Sequence, residues 1–126
     1  MGKSNLLGVW GEQLAAEFMQ KKRYKVIACN YRCRFGEIDL ICQNRLYLVF
    51  VEVKLRKTAV FGEAREFVGP QKQEKIRAAA MLWLQENPTD LQPRFDVIEI
   101  YAPDGMKTMR PELNHLEDVL KILVKR

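Results

Sequence analysis

Histidine is nearly absent from this chain: His115 is the only one in 126 residues. A Cys–His zinc centre, a serine triad and a histidine general base are left with little material. Cysteine is scarce as well. Cys29, Cys33 and Cys42 form no C-x-x-C, which argues against a disulfide framework or a zinc ribbon and predicts buried or half-buried thiols in a reducing compartment. No apolar run approaches the roughly 20 residues of a membrane span. Glu12 and Glu17 interrupt any signal-peptide core, and Leu6 stands where a myristoylation signal after Met1-Gly2 requires Ser or Thr. A cytoplasmic protein with no membrane partner is expected. Internal repeats and low-complexity tracts are also missing, so residues 1–126 are read as one domain.

What is present is a globular composition, 48% hydrophobic and 29% charged, with a net charge of +5. That basic excess permits an anionic partner and proves none. Leu7, Trp10, Leu14 and Phe18 recur at helical spacing and predict a helix over Leu7–Lys22, with Glu12 on the border of its apolar face beside Met19. Tyr24–Asn30 reads as a strand, and Tyr31–Gly36 as a basic loop carrying Arg32 and Arg34. Two strands follow, Glu37–Gln43 and the almost continuously apolar Leu46–Leu55, joined by a tight turn at Asn44-Arg45.

Arg56, Lys57, Gly62 and Arg65 then mark a basic loop, either a substrate-contacting segment or an ordinary solvated one. Pro70 opens a second helix with Ile76, Ala79, Ala80, Trp83 and Leu84 on its apolar face, ended by Asn87-Pro88. Arg94–Tyr101 is another strand, in which Asp96 is read as structural. Pro103-Asp104-Gly105 is a turn. Asn114, with Glu117 as capping-box partner and a stripe of Leu116, Val119, Leu120 and Leu123, predicts a short C-terminal helix. The order is α-β-β-β-α-β plus that helix: an α/β fold whose mixed central sheet is flanked by helices.

One stretch carries chemistry. In GEIDLICQNRLYLVFVEVK, Gly36 to Lys54, an apolar hairpin holds Glu37, Asp39, Glu52 and Lys54 near its open end. With Asn44-Arg45 as the turn, Gln43 faces Leu46, Asp39 faces Phe50 and Glu37 faces Glu52. Directly paired residues share a face, so all four charges project to one side, with Asp39 and Glu52 as diagonal neighbours roughly 7–8 Å apart at the backbone. A slip of one residue would turn them to opposite sides. Glu52-x-Lys54 alone is ordinarily a solvated ion pair. Three carboxylates gathered beside one lysine instead call for a cation, and oxygen-only ligands suit Mg²⁺ or Mn²⁺. Lys54 would hold or polarise a water or a phosphate. At the start of the second helix, Lys72 suits phosphate attraction. Gln73 is a candidate to orient water or phosphate, or a polar first-turn residue facing solvent.

An acid on a helix, Asp on one strand and Glu-x-Lys on the next resemble the site of the restriction-endonuclease-like, PD-(D/E)xK nuclease superfamily, which includes archaeal Holliday-junction resolvases. The wording Gly11-Glu12, Asn30, Arg32, GEIDLI, VFVEVK, QKQEKI and RFDVI more closely resembles the YraN-like family of small bacterial proteins, from about Gly8 to Ile100. The resemblance implies a restriction-endonuclease-like fold and a catalytic set of Asp39, Glu52 and Lys54, with Glu12 as a fourth acid; Glu37 belongs to the family wording without a set role.

The expected activity is metal-dependent cleavage of DNA phosphodiesters, including branched or irregular DNA. Asp39, Glu52 and Glu12 would bind the ion, Gln73 would assist, and Arg32, Arg34, Arg56, Lys57 and Lys72 would contact nucleic acid. The alternatives are a nucleic-acid-binding module that keeps the fold and cleaves nothing, and an assembly protein acting through its C-terminal helix. A homodimer is compatible with either nucleic-acid reading and required by neither.

Overall fold

The computed structural model describes residues 5–58 and 69–122. Helix α1 (Asn5–Lys21) leads into β1 (Lys25–Cys33), β2 (Gly36–Gln43) and β3 (Tyr47–Arg56). Helix α2 (Pro70–Glu86) crosses to β4 (Gln92–Tyr101), and a 3-10 turn at Gly105–Lys107 precedes β5 (Glu112–Leu120). The strands form one five-stranded sheet in the order β1-β2-β3-β4-β5. β3 and β4 run parallel, as a helical crossover requires, and the other neighbours are antiparallel. No helix among the described residues is long and apolar enough to cross a membrane.

The helices cover opposite faces. Ile76, Ala79 and Ala80 of α2 pack with Ile41, Phe50, Phe95 and Val97. Ala15 and Met19 of α1 pack with Leu40, Val49, Val51 and Ile98. The near-continuous apolar run of β3 follows from burial on both sides. At Gly11 the backbone of α1 lies so close to β3 that an added Cβ would meet Leu55 Cδ2 at 3.2 Å.

Three expectations are corrected. The basic loop before Gly36 shrinks to Arg34-Phe35, because β1 runs on to Cys33, which pairs with Gly36. Gly36 permits this short connection with φ +141, a value open to few other residues.

The β2–β3 register is displaced by two residues: Gln43 pairs with Leu48, not Leu46. Asn44 does not sit at the tip of the turn. Its side-chain oxygen accepts the amides of Leu46 and Tyr47 at 2.9 and 2.8 Å, and its own amide donates to the Tyr47 carbonyl at 3.0 Å. This places Arg45-Leu46 at the tip.

The C-terminal helix is instead β5, antiparallel to β4. Leu116, Val119 and Leu120 do share a face, against the α2 side of the core. Helical spacing is mimicked because the β4–β5 register shifts between Phe95 and Val97 and Asp118 adopts φ +55. The expected stripe residue Leu123, and Gly62 and Arg65 of the basic loop, lie outside the described residues.

That irregularity accommodates a buried ionic knot. Asp96, fully buried, accepts two hydrogen bonds from Arg94 at 2.9 and 2.8 Å and one from the Asp118 amide at 3.0 Å. His115 Nε2 lies 2.7 Å from Asp96 Oδ2, and Lys22 Nζ lies 2.8 Å from His115 Nδ1. An ammonium only donates, so Nδ1 accepts and Nε2 carries the hydrogen given to Asp96. Burial alone would raise the Asp96 pKa, but these donors hold it below the ordinary carboxylate value. The reading of Asp96 as structural agrees with this geometry. Asp96→Asn keeps the shape and strands Arg94, whose side chain is 8% exposed. The expected loss is about 3–5 kcal/mol, read as a lower urea midpoint with an unchanged slope. A loss below about 1 kcal/mol, the scale of an exposed ion pair, would show that the pair is not effectively buried.

Candidate active site

The last ladder pair between β2 and β3 is Leu40 with Val51; one step further, Asp39 stands level with Glu52. There the strands part, and Asp39 Oδ2 accepts the Val53 amide at 2.8 Å. The two-residue displacement preserves side-chain parity along the hairpin. It turns the expected diagonal relation of Asp39 and Glu52 into a direct one.

The regular alternation of a strand breaks in β2 as well. Ile38 joins the α2-side cluster with Ile41, whereas Leu40 and Cys42 join the α1 side. On the neighbouring strand, Cys29 pairs with Leu40 and Tyr31 with Ile38, which brackets Asn30 at φ +52 across from Asp39. The local twist lets acids from the start of β2 meet α1. Carboxylate oxygens of Glu12, Glu37 and Asp39 lie within 4.8 Å of one another. Asn30 Nδ2 donates to Glu12 Oε1 at 2.9 Å and orients it.

The electrostatics match this crowding. Burial first, and then the charges of Glu52, Glu12 and Glu37, push the Asp39 carboxyl up to about 7 against the lowering effect of the Val53 amide. Burial also raises the Glu12 pKa, with Glu37 adding to it and Asn30 opposing. Glu52 stands apart from the three-acid group. Its Oε2 is 3.1 Å from Lys54 Nζ and 2.8 Å from Lys72 Nζ. Burial would lower the Lys72 pKa, yet the bond to Glu52 raises it.

A cavity of about 160 Å³ opens beside the acids, lined by Gly8, Val9, Glu12, Asn30, Arg32 and Glu37. A second, of about 350 Å³, lies where Glu37 meets Gln71, Lys72 and Lys75 at the start of α2.

The other expected residues distribute as follows. Lys72 and Gln73 are half-buried on the first turn of α2, whereas Gln71 is exposed. Arg32 makes a long 3.8 Å pair with Glu37, and Arg34 lies 4.8 Å over the Phe35 ring. Arg56 ends β3, and its Nε is 3.6 Å from Glu99. Lys57 is exposed just beyond.

Glu99 was not anticipated. It is fully buried, level with Lys54 on the parallel neighbour, and accepts from Asn114 Nδ2 at 3.2 Å. Its signal was the one that marks Glu52, an acid flanked on both sides by apolar residues of a strand. The expectation for the thiols holds in part: Cys42 is buried, and burial pushes its pKa up to about 12, but Cys29 is exposed.

The three acids pass the chemical test for a hard divalent ion. They offer oxygen only, their like charges favour a bound cation, and their oxygens already lie within 4.8 Å of one another, near enough for one hard ion to draw together. Glu52 is less accessible to the same ion while two lysines hold it.

The sequence model of the "Uncharacterised protein family UPF0102" matches residues 11–100. The chain belongs to this family. It is 40% identical over 111 residues to the UPF0102 protein of Syntrophomonas wolfei, covering 87% of this chain and 93% of the relative. It is 40% identical over 120 residues to the UPF0102 protein of Nocardia farcinica, covering 94% and 92%. Against the UPF0102 protein of Geotalea daltonii the identity is 41% over 117 residues, covering 92% and 90%. The matched UPF0102 segment contains Glu12, Asp39, Glu52, Lys54 and Asp96 and ends before β5.

Two outcomes follow for this UPF0102 site. A raised carboxyl contributes stability in full below its unfolded value of 3.8, and that contribution is lost as pH climbs through about 7. Asp39→Asn, which can still accept the Val53 amide, therefore raises the ion-free melting temperature at pH 8 and leaves it nearly unchanged at pH 4; equal shifts at both pH values would contradict the burial of this charge. In paramagnetic broadening with Mn²⁺, Glu37→Gln should weaken binding about tenfold or more and Glu52→Gln by less. The reverse order would assign the ion to Asp39 and Glu52.

Proposed function

We propose that this protein is a metal-dependent phosphodiesterase acting on DNA, built on a restriction-endonuclease-like fold. The observation that carries the reading is the convergence of Glu12, Glu37 and Asp39 oxygens beside the Glu52–Lys54–Lys72 contact. Glu12, Glu37 and Asp39 would hold Mg²⁺ or Mn²⁺, with Glu52 joining once Lys72 turns to a substrate phosphate. The ion would supply Lewis-acid stabilisation of the charge that develops on the phosphate oxygens.

The protein's own groups do the rest. Lys54 positions the attacking water against the phosphorus atom. Asn30 fixes Glu12 in its rotamer, and the Val53 amide does the same for Asp39. Gln73, one residue beyond Lys72 on the first turn of α2, would orient the water or a non-bridging oxygen. The water oxygen forms a bond to phosphorus, the bond to one ester oxygen breaks, the water proton leaves to solvent or a nearby carboxylate, and the departing sugar oxygen takes a proton from solvent to become a hydroxyl. A preorganised cation beside a shielded reaction centre is worth far more than the same charge in bulk water.

The test uses branched, flapped, linear duplex and single-stranded DNA with Mg²⁺ or Mn²⁺, and compares the unmodified protein with Asp39→Asn and Lys54→Ala. The unmodified protein is expected to cut at least one member. Asp39→Asn should lose metal affinity and cleavage together. Lys54→Ala should keep the metal and lose about 10²-fold or more in cleavage. Equal residual cutting by all three proteins would mark a contaminant. Steep salt-dependent binding with no cutting under any metal would favour a binding module that keeps the fold.

A further inference from the structure

A cluster of acids repels a polyanion, so affinity for DNA needs cations that are not already engaged. Most of those near the acidic site are engaged: Arg32 with Glu37 at 3.8 Å, Arg56 with Glu99 at 3.6 Å and Lys72 with Glu52 at 2.8 Å. The opposite end of β2 and β3 is different. There the hairpin tip and the α1–β1 connection enclose an open cavity of about 600 Å³, lined by Lys22, Arg23, Lys25, Gln43, Asn44, Arg45 and Leu46. The lining holds four cations and no carboxylate. Arg23, Lys25 and Arg45 are exposed and make no ion pair with any described residue. Lys22 gives one hydrogen to His115 at 2.8 Å and retains others.

We propose that this cavity binds the phosphate backbone of duplex DNA at a distance from the cleaved bond, and so supplies binding affinity and register. The proposal rests on the reading of the protein as one that acts on DNA. Five strand positions separate Asp39 from Asn44, about 17 Å at roughly 3.3 Å per residue, or about five base pairs of duplex at roughly 3.4 Å each. A stiff polyanion spans both ends, whereas a small anion gains nothing from the acidic end. An anionic membrane is a poorer fit, since Leu46 is the one apolar side chain in the lining.

The test measures affinity for a long duplex in Ca²⁺ as potassium chloride is raised, for the unmodified protein, Lys25→Gln, Arg45→Gln and the triple variant with Arg23→Asn. Asparagine is chosen because Arg23 holds φ +72, which it tolerates. Matching thermal melts establish that the variants fold. Each lost contact should flatten the log–log slope by about 0.9, so nearly 3 units for the triple variant. A duplex of about five base pairs or fewer should not distinguish the proteins.

Steep binding by the unmodified protein with an equal slope in the triple variant overturns the cavity proposal and leaves the nuclease reading intact. A slope flattened in the variants of a protein that never cuts supports the cavity and removes the nuclease reading. A flat titration of the unmodified protein removes both.

Discussion

Asp39 Oδ2 accepts the Val53 amide at 2.8 Å, a position a regular ladder would give to a main-chain carbonyl. That one bond ends the β2–β3 pairing without leaving a buried amide unsatisfied, and it fixes a carboxylate at the fork. Glu12 arrives from α1, Glu37 from the same strand and Glu52 from the next, and each raises the energy of ionising Asp39. Lys54 and Lys72 draw Glu52 aside, which relieves part of the repulsion in the ion-free protein. The remaining like-charge contact favours whichever divalent cation fits, and the fold tolerates it because stability is secured elsewhere by apolar layers on both sheet faces.

Much of this was legible in the sequence because strand chemistry has a period of two. The turn at Asn44 was placed one residue early, so every β2–β3 pair was displaced by two, yet the charges still gathered at one end. The actual tip depends on the Asn44 side chain bonding to Leu46 and Tyr47, which composition alone does not distinguish from a turn centred on Asn44 itself. Leu116, Val119 and Leu120 have helical spacing, but the segment pairs along β4 and bulges where the Asp118 amide donates to Asp96, a partner that lies 22 residues away and is invisible to local periodicity. Glu37 and Asp39 share a face as a period of two requires, but the break in alternation between Ile38 and Leu40 beside them, where the acids meet Glu12 of α1, is encoded by no sequence period. Glu99 was missed for a simpler reason: it interrupts an apolar strand as Glu52 does, but without an adjacent basic residue to draw notice.

The charges divide along the sheet. The acids and the lysines that restrain them sit at the fork of β2 and β3, while Lys22, Arg23, Lys25 and Arg45 surround the hairpin tip. The net charge of +5 therefore says little about either end. Local sign matters more than the sum, because screening confines each cluster to about 8–10 Å.

The Asp96 knot also bears on how the chain folds. Its members come from Lys22, Tyr24, Arg94, His115 and Asp118, so it closes only when the α1–β1 connection, β4 and β5 are all in place. Helix α1 and the two hairpins can form from local contacts, but β4 carries an ionised carboxylate and a guanidinium whose remaining partners lie further along the chain on β5. Until β5 arrives, burying β4 costs desolvation without full compensation, so the sheet's parallel half is held back from premature closure. The knot thus makes the parallel and antiparallel halves of the sheet depend on each other: β4 is fully compensated for burial only when β5 lies beside it.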